Sequence, residues 1–315
     1  MLSRREWLSL TLATGVAATL DRAWLSAQQP LIARTVPSTG ERLPVVGLGS
    51  SATFSQVARA QDVAAIGEVL KALVGGGGTL FDTAPGYGAS EEVAGRVASE
   101  LALTEKIFWA TKVNAAGFGG GSANPAAARA QIDQSFGRLK KQKIDLIQVH
   151  NLGDVPTQLA ILKELKQQGR IKYIGVTTTF DQQYPQIADI MRREPIDFIG
   201  IDYAIDAREV EESILPLAQE RKIGVLSYQP FGRTRLWNRV GDRPVPDYAK
   251  EFDATTWAQF FIKFVASHPA ITVVTPATSQ AKNMADNLGG GRGRLPDAAM
   301  RKRMIGTVDA LPGGR

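Results

Sequence analysis

Asp82 and Tyr87 in the run LFDTAPGYGASEE, Lys112 closing IFWATK and His150 closing IDLIQVH are residue types that together can hand a proton to a carbonyl oxygen. A tyrosine hydroxyl titrates near ~10 and is a poor acid at neutral pH, but a cation within about 4–6 Å stabilises the phenolate and lowers that value. Lys112 would supply the cation. A desolvated lysine tends to lose its own proton unless a carboxylate offsets the charge, which gives Asp82 a reason to stand beside it. His150 would then orient a substrate oxygen. No side chain delivers hydride, so a reduction built on this group implies a nicotinamide cofactor.

Each residue alone has a plainer role. An aspartate after an apolar strand is ordinarily a cap or turn residue, a tyrosine between two glycines is a turn aromatic, and a histidine of this kind is a core residue. Lys112 is hardest to explain in that way, because lysine is almost never buried without a partner. The four are joined by position, since each ends or closely follows a short apolar run of strand character. Strand candidates fall at 45–49, 79–82, 107–112, 144–150, 173–176, 198–203, 224–228 and 271–275, and eight strands suit a closed parallel barrel. Helical periodicity fills the intervals at 63–73, 90–100, 125–139, 157–168, 184–193, 209–221 and 255–267. Asn124 followed by Pro125 supplies a cap and a first turn. The expected architecture is therefore α/β, a (β/α)8 TIM barrel that carries all four residues to one rim. An N-terminal β-hairpin over 33–44, turning at Ser38, Thr39 and Gly40, plugs its floor. The sequence shows no internal repeat beyond this alternation and no linker that would split it.

The runs LPVVGLGS, LFDTAPGYGASEEVAGR, FWATK, IDLIQVHN and IKYIGVTT, in that order and spacing, resemble the aldo-keto reductases from about Leu31 to Leu311. The resemblance implies a single barrel domain over 31–311, with Asp82, Tyr87, Lys112 and His150 as the tetrad that reduces aldehydes and ketones with NADPH. It also implies cofactor contacts. Thr177 and Thr178 stand where relatives have Ser and Asn on the nicotinamide amide, and Tyr228 matches the aromatic stacked on the nicotinamide ring. Thr278, Asn283 and Asn287 match the loop and helix that hold the adenosine phosphate. Two departures stand out: Gly200 replaces a glutamine on the sixth barrel strand, and Asn283 replaces an arginine common in NADPH-preferring relatives. The second leaves NADH as an alternative to NADPH, with Lys282, Arg233 or Arg235 as compensating cations. Two other functions stay open at this level. One is a dinucleotide-binding redox sensor with little turnover, and the other is a lyase or epimerase using Lys112 as its reactive amine.

Composition excludes more than it selects. The 315 residues contain no cysteine and two histidines, which argues against thiolate chemistry, disulfides and a histidine-rich metal site. A net charge of +6 without a stripe of Lys and Arg interleaved with aromatics gives no footprint for nucleic acid. Substrate would meet rim loops at 51–60, 115–123 and 231–252, the last with Trp237 and Tyr248. Glycines cluster at 75–78, read as a helix C-cap, at 117–121, read as a rim loop, and at 289–293, read as a linker. The N-terminus resembles a twin-arginine export signal: Arg4 and Arg5, Trp7 where phenylalanine is more usual, then LSLTLATGVAATL, which is too short for a stable membrane span. Residues 1–27 are thus expected to engage the twin-arginine machinery and to be removed, leaving a periplasmic protein of charge 34 − 29 = +5.

Overall fold

The computed structural model describes residues 29–117 and 121–313. The expected export segment lies outside the described residues, as does the middle of the 117–121 glycine loop. A short antiparallel pair, β1 (Ala33–Thr35) and β2 (Arg42–Pro44), precedes an eight-stranded parallel sheet. The sheet runs β3 (Leu48–Gly49), β4 (Leu80–Asp82), β5 (Phe108–Val113), β6 (Ile144–Val149), β7 (Ile171–Thr178), β8 (Phe198–Asp202), β9 (Gly224–Tyr228) and β10 (Val273–Val274). Each strand pairs with the next, and parallel bridges Val46↔Val274 and Gly49↔Ala277 join the first to the last. The sheet therefore closes into the expected (β/α)8 barrel.

The strands are near-continuous apolar runs because both faces are covered, and their two-residue alternation separates two cores. Phe81, Trp109, Ile147, Ile174, Ile199 and Val225 point outward and pack in the large core shared with the helices. Leu80, Phe108, Leu146, Tyr173, Phe198 and Leu226 point inward and form a separate cluster in the barrel. Val36 and Leu43 of the hairpin belong to that inner cluster, so the hairpin does plug the floor. Its tip is tied down by Tyr173, whose hydroxyl lies 2.6 Å from Thr39 Oγ1 and donates to Glu41. The same inward alternation, continued to the far end of the barrel, brings up Asp82, Lys112, Gln148, Thr177 and Tyr228.

Helices Ser90–Glu100, Pro125–Leu139 and Tyr184–Arg193 match the periodicity. The second starts as expected, with the Asn124 carboxamide accepting from Ala127 N–H at 3.1 Å. The segment 209–221 differs: a 3-10 turn, Glu209–Glu211, precedes a shorter helix, Ile214–Glu220, because Ser213 leaves helical geometry with φ −139° while Glu211 pairs with Arg301 at 2.6 Å. Helices Thr53–Arg59 and Arg235–Val240 occupy stretches expected as rim loops, and Ala298–Asp309 follows the barrel. Gly77 takes a left-handed φ of 87° just past helix Val63–Gly75, the conformation a C-cap glycine is suited to. The 289–293 glycines are not a free linker: buried Lys263 donates to the carbonyls of Arg292 and Arg294 and pins the segment to helix Trp257–Ala266. Among the described residues no helix is long and apolar enough to cross a membrane.

Candidate active site

Four separate elements deliver the tetrad to one end of the barrel. Asp82 is the last residue of β4, Lys112 lies near the end of β5, and His150 opens a 3-10 turn directly after β6. Tyr87 sits in the turn between β4 and helix Ser90–Glu100, its N–H held by the Ala84 carbonyl at 3.0 Å. Lys112 Nζ donates to Asp82 Oδ2 at 2.7 Å and to the Thr83 carbonyl at 2.8 Å. The same ammonium lies 5.0 Å from the centre of the Tyr87 ring and 5.2 Å from that of Tyr228, between two aromatic faces that favour a cation. Tyr87 and His150 meet edge to face at 5.7 Å between ring centres.

Electrostatics revise one expectation. Burial pushes the Tyr87 phenol up and outweighs the downward pull of Lys112, with Asp82 adding a smaller upward push. The net direction is above the ordinary tyrosine value, not below it. Tyr87 is only half-buried, so water at the mouth tempers the burial effect, and the hydroxyl keeps its proton. Burial alone would push Lys112 down, but Asp82 and the Tyr87 phenol reverse it and hold the ammonium above the ordinary lysine value. Burial pushes the Asp82 carboxyl up against the pull of Lys112 and the hydrogen bonds of Lys112 and Tyr228. His150 is driven down to about 3, first by burial and then by Lys112, so its imidazole is neutral and bonds through an uncharged ring.

A cleft of about 1270 Å³ runs from this group across the barrel mouth. Thr177, Tyr228, Thr278, Asn283 and Asn287, five of the six residues that the resemblance names for the cofactor, line it. Thr178 does not; it is buried and its hydroxyl is engaged by Gln183 at 2.5 Å and Phe180 N–H at 3.1 Å. Of the three compensating cations, Arg233 lines the cleft, whereas Arg235 is held by Asp206 at 2.7 and 3.0 Å and Lys282 lies outside it. Tyr248 also lies outside, bonded to Thr307 at 2.6 Å with Arg303 3.9 Å over its ring. Gly117 and Asn114 line a separate, smaller recess of about 290 Å³ that also includes His150.

Several cleft residues escape sequence reasoning: Asn151, Phe180, Gln229, Ser279, Gln280 and Asp286. Most belong to turns and loops and Asp286 to the body of helix Ala281–Gly289, where no two-residue alternation marks which side chain faces inward. Gln148 is different. It lies two residues before His150 on β6, so alternation places it on the same inner face, and its Nε2 donates to Tyr228 Oη at 3.1 Å.

Residues 45–302 match the model of the aldo/keto reductase family. An aldo-keto reductase of Bacillus subtilis is 32% identical over 216 residues, which is 65% of this chain and 64% of that protein, just under two thirds of its length. The barrel is similar to the holo form of an aldo-keto reductase from Bacillus halodurans, with TM-score 0.70 and 22% identity over 88% of this chain and 96% of that one. It is also similar to an aldo/keto reductase from Klebsiella pneumoniae solved with NADP and acetate, with TM-score 0.67 and 21% identity over 88% and 95% of the two chains.

Proposed function

The chain belongs to the aldo/keto reductase family, and from that premise we propose that it reduces an aldehyde or ketone with a nicotinamide dinucleotide, and oxidises the alcohol in reverse. The observation that carries the reading is Lys112, a buried ammonium bonded to Asp82 at 2.7 Å and lying 5.0 Å from the Tyr87 ring at the mouth of a large cleft.

The residues present fit a dinucleotide. Helix Ala281–Gly289 has Gln280 at its N-cap without a side-chain cap bond, so its first N–H groups are free to meet an anion beside Thr278 and Asn283 in the cleft wall. A nicotinamide dinucleotide bound there supplies the hydride. The chain's own part is the proton. Tyr87 Oη holds it, because burial keeps the phenol protonated, and gives it to the substrate oxygen as that oxygen becomes an alkoxide. Lys112 then stabilises the phenolate left behind, and Asp82 keeps Lys112 charged while the proton is away. Neutral His150, edge-on to the Tyr87 ring, holds the substrate oxygen near Tyr87 Oη. Raised and fixed between a carboxylate and a carbonyl, Lys112 is badly placed to act as a free amine nucleophile, which speaks against the lyase or epimerase alternative.

Fluorescence titration with NADPH and NADH, followed by a carbonyl panel, tests this reading. Saturable binding of one dinucleotide with turnover of a carbonyl compound supports it. Binding without turnover would favour the redox-sensor alternative, and failure to bind either dinucleotide would remove both. NADPH is the proposed cofactor, with NADH the alternative that Asn283 leaves open. Arg233 supports the first choice as a cation in the cleft lining besides Lys112.

Export is proposed on the motif around Arg4 and Arg5, which supports passage of the folded protein through the twin-arginine machinery into the periplasm. Fractionation of cells making the full chain and a variant with Arg4→Lys and Arg5→Lys decides it. Periplasmic wild type and retained variant are expected, and equal retention of both would end the idea.

A further inference from the structure

Tyr228 makes a contact that the stacking role implied by the resemblance does not require. Its hydroxyl lies 3.1 Å from Asp82 Oδ1, the carboxylate oxygen that Lys112 leaves free, and 3.1 Å from Gln148 Nε2. Donor chemistry fixes the direction. The Gln148 N–H can only donate, so Tyr228 Oη accepts from it, and the single phenolic proton is left to go to Asp82, which as a carboxylate can only accept. The ring reaches this place because residue 200 is glycine. A Cβ there would sit 2.3 Å from Tyr228 Cε2 and 2.5 Å from its hydroxyl oxygen, closer than side-chain carbons approach. The departure at Gly200 and the inward seat of Tyr228 are therefore one feature.

We infer that Tyr228 is a positioning residue: seated on Gly200 and oriented by Gln148, it donates to Asp82 and holds the carboxylate that keeps Lys112 charged behind Tyr87. The role rests on the reductase reading for its purpose, but the hydrogen bond is measurable without it. The charged and titratable groups around Asp82 are Lys112 from β5, Tyr87 from the turn after β4 and Tyr228 from β9, with His150 after β6 facing Lys112. Removing the Tyr228 proton takes one donor from a buried anion, so Asp82 protonates more readily.

The decisive measurement is the Asp82 carboxyl titration by NMR in the full chain labelled with 13C-aspartate, assigned by loss of the signal in Asp82→Asn and made without dinucleotide or substrate. Tyr228→Phe keeps the ring and removes only the hydroxyl, and is expected to raise the Asp82 midpoint by about one pH unit. Gly200→Ala keeps the hydroxyl but pushes the ring off its seat, and is expected to shift the midpoint in the same direction. Where turnover exists, the low-pH limb of kcat/KM in Tyr228→Phe should move toward neutrality with it. An unchanged Asp82 midpoint in folded Tyr228→Phe, or in folded Gly200→Ala if the first variant does not fold, would overturn the inference. A wild type without carbonyl turnover would instead remove the reductase reading and leave the carboxyl titration to decide this one.

Discussion

At the scale of single residues, the site is a set of charges and protons kept in place by burial. Lys112 is the clearest case of a residue legible in the sequence, because a lysine inside FWATKV has no ordinary explanation and the structure supplies a buried partner for it at 2.7 Å. The state of Tyr87 was not legible. Proximity to Lys112 suggests an acidified phenol, yet the balance depends on how much water burial removes, and no spacing of residue types reports that. His150 gives a prediction with a defined sign. Its folded value of about 3 lies below the ~6.5 of an unfolded histidine, so from about pH 6.5 downward the unfolded chain takes up a proton that the native chain refuses. Stability should therefore fall as pH drops through that window. Urea unfolding of wild type and His150→Gln between pH 4 and 8 should show a shallower fall in the variant, and parallel curves would show that the imidazole is not held neutral.

At the scale of elements, strands were easier to read than the connections that surround the site. Runs buried on both faces announce themselves, and the helices Ser90–Glu100, Pro125–Leu139 and Tyr184–Arg193 have caps or periodicity that fix their ends. The segment 289–293 was not legible, since nothing in GGGRG reveals that a lysine on another helix binds its carbonyls. Lys263 is fully buried, and burial pulls it down to about 8, against an upward push from Asp253. Its unfolded value is ~10.5, so between about pH 8 and 10.5 the unfolded chain binds more protons and native stability rises with pH. Lys263→Met should lose that rise and cost about 1–3 kcal/mol at neutral pH, because the carbonyls of Arg292 and Arg294 lose their donor. Chemical denaturation at pH 7, 9 and 10 checks both parts.

At the scale of the whole molecule, the barrel separates stability from chemistry along its axis. The hairpin and the inner apolar cluster fill one end, and the tetrad and cleft occupy the other. Closure of the sheet and the place of the hairpin followed from eight apolar runs and a polar turn. The seat of Tyr228 on Gly200 did not, because it needs the registry of two strands that the sequence does not state. Leu43→Ala, at the plugged floor, should cost about 2–5 kcal/mol in urea denaturation and leave kcat unchanged. A fall in kcat at temperatures where the variant is folded would show that the two ends are coupled. The central claim, that Tyr87 is the proton donor of a dinucleotide-dependent carbonyl reduction, is tested most directly by comparing wild type with Tyr87→Phe in dinucleotide affinity and in kcat for the same carbonyl substrate. The account predicts unchanged affinity and a kcat lower by ~10² or more, whereas equal turnover in the two proteins would contradict it.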